Sequence, residues 1–322
     1  MTSYNPKSGA PQWGRTYADG EALQLIGGKL FLERSSAKNS EDMVKLLDRT
    51  TGRTRWTAPL PNQAYTVEVV TSDDLLIESG DGVSGLSLED GSTRWNHVGT
   101  FVASCPNAVY LQGDRELVAL DPSTGAKRWS SSIPTNTQLV GAACNSDGVA
   151  VTGKDFRAKQ QVTSQYDADR GIRTWAKRVP SPPHGAWIDA GADVVISTTA
   201  DDVTAFDLAD GSVRWKTPID TGGSLPNVHA VDGPNLLVAE PGASAHLIDL
   251  DSGRLLTTVS IPAGQATLDD RSLLVAGNDR ITNRRARDLA LQWSLPVAQP
   301  DDFAVGSHQL YLLGSHGLTT LN

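Results

Sequence analysis

The chain has 322 residues, 39% of them hydrophobic and 20% charged, with a formal net charge of −9, 8 tryptophans, 30 glycines and 2 cysteines. No apolar run approaches the roughly 18 residues that a membrane-spanning helix needs, and no charged-then-apolar leader opens the sequence. The acidic balance, without a stripe of lysine or arginine, argues against a nucleic-acid partner, because phosphate binding calls for clustered positive charge.

In chain order, one motif recurs from end to end. It reads "YNPKSGAPQW" to Trp13, "LDRTTGRTRW" to Trp56, "LEDGSTRW" to Trp95, "LDPSTGAKRW" to Trp129, "YDADRGIRTW" to Trp175 and "FDLADGSVRW" to Trp215. "IDLDSGRLLT" keeps the frame with Thr257 in the tryptophan place, and "RDLALQW" at Trp293 reads as a shortened copy without its glycine. The spacings are 43, 39, 34, 46, 40, 42 and 36 residues, and the two chain ends together supply one more interval of 42. A period of about 40 residues with turn signals inside it indicates a repeat architecture.

Each interval divides into four short strands, such as "YTVEVV", "DLLIES", "VSGLSL" and "STRWNHV" between Trp56 and Trp95. The motif itself is a tight turn. An apolar residue ends the third strand, aspartate caps backbone donors, glycine supplies positive φ, and tryptophan opens the fourth strand. A large planar ring repeated once per unit can fill the wedge between neighbouring sheets. The expected fold is therefore all-β: an eight-bladed β-propeller of four-stranded antiparallel blades in one domain, 1–322. The last residues, "GLTTLN", match the start of a turn motif, and the first ten supply its remainder. One blade is thus expected to be split across the termini, with the N-terminal strand completing the C-terminal blade and closing the ring.

The Asp-x3-Gly-x3-Trp repeat resembles that of the quinoprotein-type, or PQQ-like, eight-bladed propellers, and the resemblance covers essentially the whole chain. That family includes quinone-dependent alcohol dehydrogenases, outer-membrane assembly lipoproteins and actinobacterial extracytoplasmic propellers. The dehydrogenases hold their quinone beside two adjacent cysteines with a Glu/Asn/Asp calcium site. Here the cysteines are not adjacent, so neither quinone nor calcium is expected as a cofactor.

Several strings imitate chemistry. Gly80, Gly82 and Gly85 fit a dinucleotide pattern but sit in a hairpin rather than between a strand and a helix. Asp167 with Asp169, Asp207 with Asp210 and Asp249 with Asp251 resemble the opening of a calcium loop, yet the distal glutamate is missing and the positions are those of turn caps. His97, His184, His229, His246, His308 and His316 show no metal spacing, and Ser315-His316 reads as a turn dipeptide. Cys105 and Cys144 fall within about one residue of the same place in successive repeats, so either a blade-to-blade disulfide or two buried thiols fits.

Ligand faces of propellers are made by loops, and here two insertions stand out, residues 33–43 and 152–161. Aligning the first strands puts Glu68, Trp187, His229 and Phe303 in comparable positions at the channel mouth, with Tyr65, His184, Asn227 and Asp301 just before them. Arg284, Arg285 and Arg287 alternate along one blade as a charged, solvated strand. The leading expectation is a non-catalytic, monomeric scaffold outside the cytoplasm that binds a protein, a peptide or a small polar ligand. The alternatives are a cytoplasmic location and an enzyme of secondary metabolism or carbohydrate processing, with His184, His229, Glu68 and Asp301 as its catalytic groups. A quinone-dependent dehydrogenase ranks behind both.

Overall fold

The computed structural model describes residues 2–4, 11–16, 21–26, 28–34, 42–60, 66–69, 73–80, 82–105, 107–133, 137–144, 148–155, 157, 160–179, 194–198, 202–219, 227–230, 235–239, 244–261, 265–268, 272–277, 280–296, 302–306 and 309–313. Among them every regular element is a strand, and no helix is long and apolar enough to cross a membrane.

The strands run β1 (Thr2–Tyr4) and β2 (Pro11–Gly14), then β3 (Glu21–Ile26), β4 (Lys29–Arg34), β5 (Met43–Leu47) and β6 (Thr54–Pro59). There follow β7 (Thr66–Val69), β8 (Asp74–Ser79), β9 (Gly82–Ser87), β10 (Thr93–His97), β11 (Thr100–Cys105), β12 (Ala108–Gln112), β13 (Glu116–Leu120) and β14 (Lys127–Ser132). Next come β15 (Thr137–Cys144), β16 (Gly148–Asp155), β17 (Gln160–Asp167), β18 (Arg173–Val179), β19 (Val194–Thr198), β20 (Asp202–Asp207) and β21 (Val213–Pro218). The last are β22 (Asn227–Ala230), β23 (Asn235–Ala239), β24 (Ser244–Asp249), β25 (Leu255–Ser260), β26 (Gln265–Leu268), β27 (Ser272–Ala276), β28 (Arg280–Arg285), β29 (Leu291–Pro296), β30 (Asp302–Gly306) and β31 (Gln309–Leu313).

Consecutive strands pair antiparallel into sheets β3 to β6, β7 to β10, β11 to β14, β15 to β18, β22 to β25 and β26 to β29, with β19 to β21 forming a three-stranded sheet. One further sheet has the order β2-β1-β31-β30. Repeated four-stranded antiparallel sheets, each carrying the same motif, are the construction of a β-propeller.

The last sheet differs in detail from the expectation. Its third strand is β1, which pairs Thr2 with Leu312 and Tyr4 with Leu310, so the chain's two ends contribute two strands each. The N-terminal Tyr4 plays the role of the apolar residue that ends a third strand. The stretch "GLTTLN" lies outside the described residues.

The chain divides into two units, Met1–His97 with Pro262–Ala286 and Ala290–Asn322, and Val98–Ile261 with Arg287–Leu289. Both use the same seam between successive sheets. In the second unit, the Trp129, Trp175 and Trp215 indoles donate from Nε1 to the carbonyls of Ala168, Leu208 and Leu250, at 2.7, 2.8 and 2.7 Å. In the first, Trp13 and Trp56 donate to Arg49 and Leu88, both at 2.9 Å. Each acceptor belongs to the tight turn of the following sheet, one residue past its aspartate position. The turn closes when the glycine N–H donates back to that position, as from Gly211 to the Asp207 carbonyl at 2.9 Å.

Gly211 and Gly253 show why glycine is required. Their φ values are +68° and +70°, in the region where a Cβ meets the backbone. A Cβ there would also stand 2.7 Å from Trp175 and 2.6 Å from Trp215, well inside van der Waals contact. The Thr217 hydroxyl adds a bond to the Gly253 carbonyl in the same seam.

Aliphatic residues fill the rest of each seam. Phe31, Val44, Leu46, Trp56, Leu75, Ile77 and Leu86 form one cluster in the first unit. Val194, Ile196, Val203, Trp215, Leu236, Val238 and Ile248 form another in the second.

A β-bulge accompanies every turn, because the residue before the tryptophan is skipped in the pairing. Leu46 faces Trp56 while Leu47 faces Thr54, and Ala205 faces Trp215 while Phe206 faces Val213. In two sheets the skipped residue reaches back over the turn. Arg55 and Arg214 use this to reach Asp48 and Asp207, at 2.9 and 2.8 Å.

The "RDLALQW" copy is not shortened. Its turn closes from the Arg285 N–H to the Ala290 carbonyl at 2.9 Å, so Arg285 occupies the aspartate place and Leu289 the glycine place. Leu289 has φ +55°, the one positive φ outside glycine among the described residues, and it is buried. The residue that would seat an indole on it is Thr257, which faces Leu247 just as Trp215 faces Ala205. Tryptophan and glycine are therefore lost together.

Two expectations follow for equilibrium urea unfolding. Trp175→Ala costs about 3–5 kcal/mol, the range for emptying a large buried site, and Gly211→Ala costs more than about 1 kcal/mol through strain and collision. Thr257→Trp alone destabilises, whereas Thr257→Trp with Leu289→Gly recovers stability and gives a favourable coupling in a double-mutant cycle. Additive effects would refute the pairing.

Candidate functional site

The register of the first strands fixes which residues occupy equivalent places. Glu68 pairs with Leu76 and His229 with Leu237, and both rows lead across the sheet to the tryptophan position, Trp95 and Thr257. Phe303 pairs with Leu312, one residue away from that row, which in its sheet contains Ala304, Tyr311, Ser3 and Trp13. By register Glu68 and His229 stand in equivalent rows and Phe303 one residue from its row. Asn227 lies two residues before His229 on β22. Tyr65, His184, Trp187 and Asp301 lie outside the described residues.

Completing the row by register adds positions that sequence alignment passed over. In the first unit it contains Gln24, Glu68, Thr267 and Ala304; in the second, Ala103, Ala143 and His229. Gln24 Nε2 donates to Glu33 Oε2 at 3.0 Å. Burial, and secondarily the negative charge of Asp42, raise the Glu33 pKa above the usual carboxylate value, so this carboxyl holds its proton to higher pH than an ordinary glutamate. Glu33 opens the first insertion, and only strand pairing reveals that it meets Gln24.

In the second unit, Cys105 on β11 and Cys144 on β15 form a disulfide with Cα atoms 6.1 Å apart, joining the first strands of successive sheets. Gln112 ties the same two sheets, its Nε2 donating to the Thr137 carbonyl at 3.2 Å and its Oε1 accepting from the Leu139 N–H at 2.8 Å.

One histidine meets a serine, although not the pair adjacent in sequence. Ser244 Oγ lies 2.7 Å from His246 Nε2, and His246 Nδ1 lies 3.0 Å from Thr258 Oγ1. A nucleophilic serine requires a base held by a third group, and here that place belongs to a neutral hydroxyl. The ring is buried and pinned across two strands, and the alternation Ser244-x-His246 is the only hint that sequence offered.

The paired aspartates are turn caps. Asp121 Oδ1 accepts from the N–H groups of Ser123 and Thr124, Asp167 Oδ1 from Asp169 and Arg170, and Asp249 Oδ1 from Ser252. Side-chain hydrogen bonds from Thr124, Arg170, Arg214 and Ser252, followed by backbone N–H donors, lower the pKa values of Asp121, Asp167, Asp207 and Asp249 respectively. For Asp48 the hydrogen bonds from Thr50 and Arg55 do the same. Among the described residues no three His, Cys, Asp or Glu side chains gather as a metal site.

The family model described as "Outer membrane protein assembly factor BamB" matches residues 1–217. The chain belongs to this PQQ-like family. No curated protein sequence matches it significantly. Among solved structures, BamB from Moraxella catarrhalis is similar at 18% identity and TM-score 0.57, over 86% of this chain and 83% of that one. The computationally designed Ika8 protein is similar at 11% identity and TM-score 0.70, over 94% and 95%. Quinohemoprotein alcohol dehydrogenase from Comamonas testosteroni is similar at 12% identity and TM-score 0.56, over 76% of this chain and 63% of that one. At these identities the likeness is one of fold.

Two measurements test the site's supports. Carboxylates with depressed pKa values stabilise the fold above their unfolded value and lose that contribution as pH falls through the folded one. The melting temperature is therefore expected to hold steady above about pH 5 and to fall below about pH 4, with Glu33 acting weakly in the opposite sense. For the disulfide, Cys105→Ser with Cys144→Ser removes a cross-link of sequence separation 39, a loss of about 4 kcal/mol by loop entropy. Calorimetry with and without reductant reads it.

Proposed function

We propose that the chain is a non-catalytic binding scaffold: an eight-bladed propeller, its ring closed by the pairing of β1 with β31, that offers loops to a protein or peptide partner or a small polar ligand. The observation that carries this reading is the use to which the motif's reactive groups are put. Turn carboxylates accept backbone N–H groups, indoles cap carbonyls, and both cysteines are joined to each other. The quinone site of the dehydrogenases, built on adjacent cysteines, does not fit these residues. What remains for recognition are the loops, above all the insertions 33–43 and 152–161, carried on a rigid frame.

A disulfide between first strands supports a location in an oxidising compartment outside the cytoplasm, as in the actinobacterial propellers that the repeat resembles. A protein partner accords with membership in a family whose model is named for an outer-membrane assembly factor.

An enzyme is the second reading, with Glu68 and His229 as candidate groups, each in its own unit on the row that ends at the motif's tryptophan position. Affinity capture from envelope extracts separates the two. Replacing residues 35–41 by a short Gly-Ser link should abolish capture of a specific partner, while Glu68→Ala and His229→Ala leave it intact at unchanged melting temperature. Turnover of a small substrate that disappears in Glu68→Ala or His229→Ala would instead establish the enzyme.

A further inference from the structure

Fourth strands lie at the ends of their sheets, where unpaired N–H and C=O groups invite another strand unless charge or proline blocks it. Seven of the eight described fourth strands are guarded in this way. β2 carries Pro11, β6 Arg55 and Pro59, β10 Arg94, β14 Lys127 and Arg128, β18 Arg173, Lys177 and Arg178, β21 Arg214, Lys216 and Pro218, and β29 Pro296. β25 reads Leu-Leu-Thr-Thr-Val-Ser, with no charge and no proline.

The exception is concentrated at the motif positions. Leu255 stands where β14 has Lys127, and Leu256 occupies the bulge where Arg55, Arg94, Arg128 and Arg214 reach out. Leu255 is 43% exposed and Leu256 37%. Val213, at the Leu255 position of the preceding sheet in the same unit, is 59% exposed. Thr258 is held from behind by His246, which keeps this edge extended.

We propose that β25 is a self-association edge, taking the β25 of a second copy of this chain antiparallel across a two-fold axis. The strand is complementary to itself. An antiparallel pair with the two-fold axis at Thr257 brings Thr257 against its own copy and Leu255 against Val259, both favourable cross-strand pairs. The strip adds no charge of its own to the repulsion between copies. Two chains of net charge −9 repel, and β25 lets the backbones approach with no carboxylate on the strand. An isologous contact of this kind closes on itself as a dimer. One strand pair with its flanking leucines buries less than a standard interface, so the dimer is weak, with Kd between about 10 μM and 1 mM.

Sedimentation velocity of the intact chain from about 10 μM to 1 mM tests this. The wild-type weight-average mass should climb from 34.2 kDa toward twice that value. Leu256→Arg, and Leu255→Lys with Leu256→Arg, restore residues that other fourth strands carry, so their melting temperatures should match wild type. Both should remain monomeric throughout. A wild type that stays monomeric overturns the proposal, as does a dimer that persists in both variants. A monomer that binds a synthetic uncharged strand peptide in the wild type, but not in Leu256→Arg, assigns the edge to a different partner and overturns it equally.

Discussion

An indole ring laid on a bare Cα, with its N–H aimed at the neighbouring carbonyl, is the contact on which both units are built. Trp175 on Gly211 and Trp215 on Gly253 show the three conditions it imposes. The turn must hold a residue at positive φ, that residue must lack a side chain, and the carbonyl beside it must point toward the preceding sheet. The aspartate of the same turn, one residue before that carbonyl, serves the same end, since its carboxylate collects the turn's N–H groups and fixes the carbonyl's direction. The bulge before each tryptophan frees one side chain from the ladder while the ring stays in register, and Arg214 uses it to cross the turn to Asp207.

Such a division of labour concentrates stability in a handful of residues per repeat and leaves the connections free to vary. The insertions 33–43 and 152–161 interrupt neither the pairing of β4 with β5 nor that of β16 with β17. The second unit adds two braces between β11 to β14 and β15 to β18, the Cys105–Cys144 disulfide and the Gln112 side chain. Loops mounted between braced sheets lose little freedom on binding, which is the physical advantage of a rigid frame for recognition.

The periodic parts of the molecule were legible because each repeat states the same local rule. The strands between Trp56 and Trp95 fall where turn residues and alternation put them, and the aspartates fall in the turns. Errors came where a repeat departs from the rule. Arg285 and Leu289 hide a full-length turn because neither residue suggests one, and only the bond from the Arg285 N–H to the Ala290 carbonyl reveals it. Three N-terminal residues, Thr2–Tyr4, are too few to announce a strand. The site was harder, because first strands carry no motif to anchor an alignment. A one-residue error at Phe303 changes which row it belongs to, and the Gln24–Glu33 contact depends on strand register.

The joint absence of Trp at 257 and Gly at 289 has a meaning for how such arrays change. Because the ring belongs to one repeat and its seat to the next, the heritable module is the joint between repeats rather than the repeat itself. A duplication or exchange that cuts between Trp and the following Gly brings together halves that fit. One that cuts within the joint leaves a ring without a seat, or a strained turn without a cover. Thr257 stands at the tryptophan place and the buried Leu289 at the glycine place of the turn that follows, so here both halves of the joint differ from the rule. The array is in this sense a chain of matched locks, and each can be rekeyed only from both sides at once.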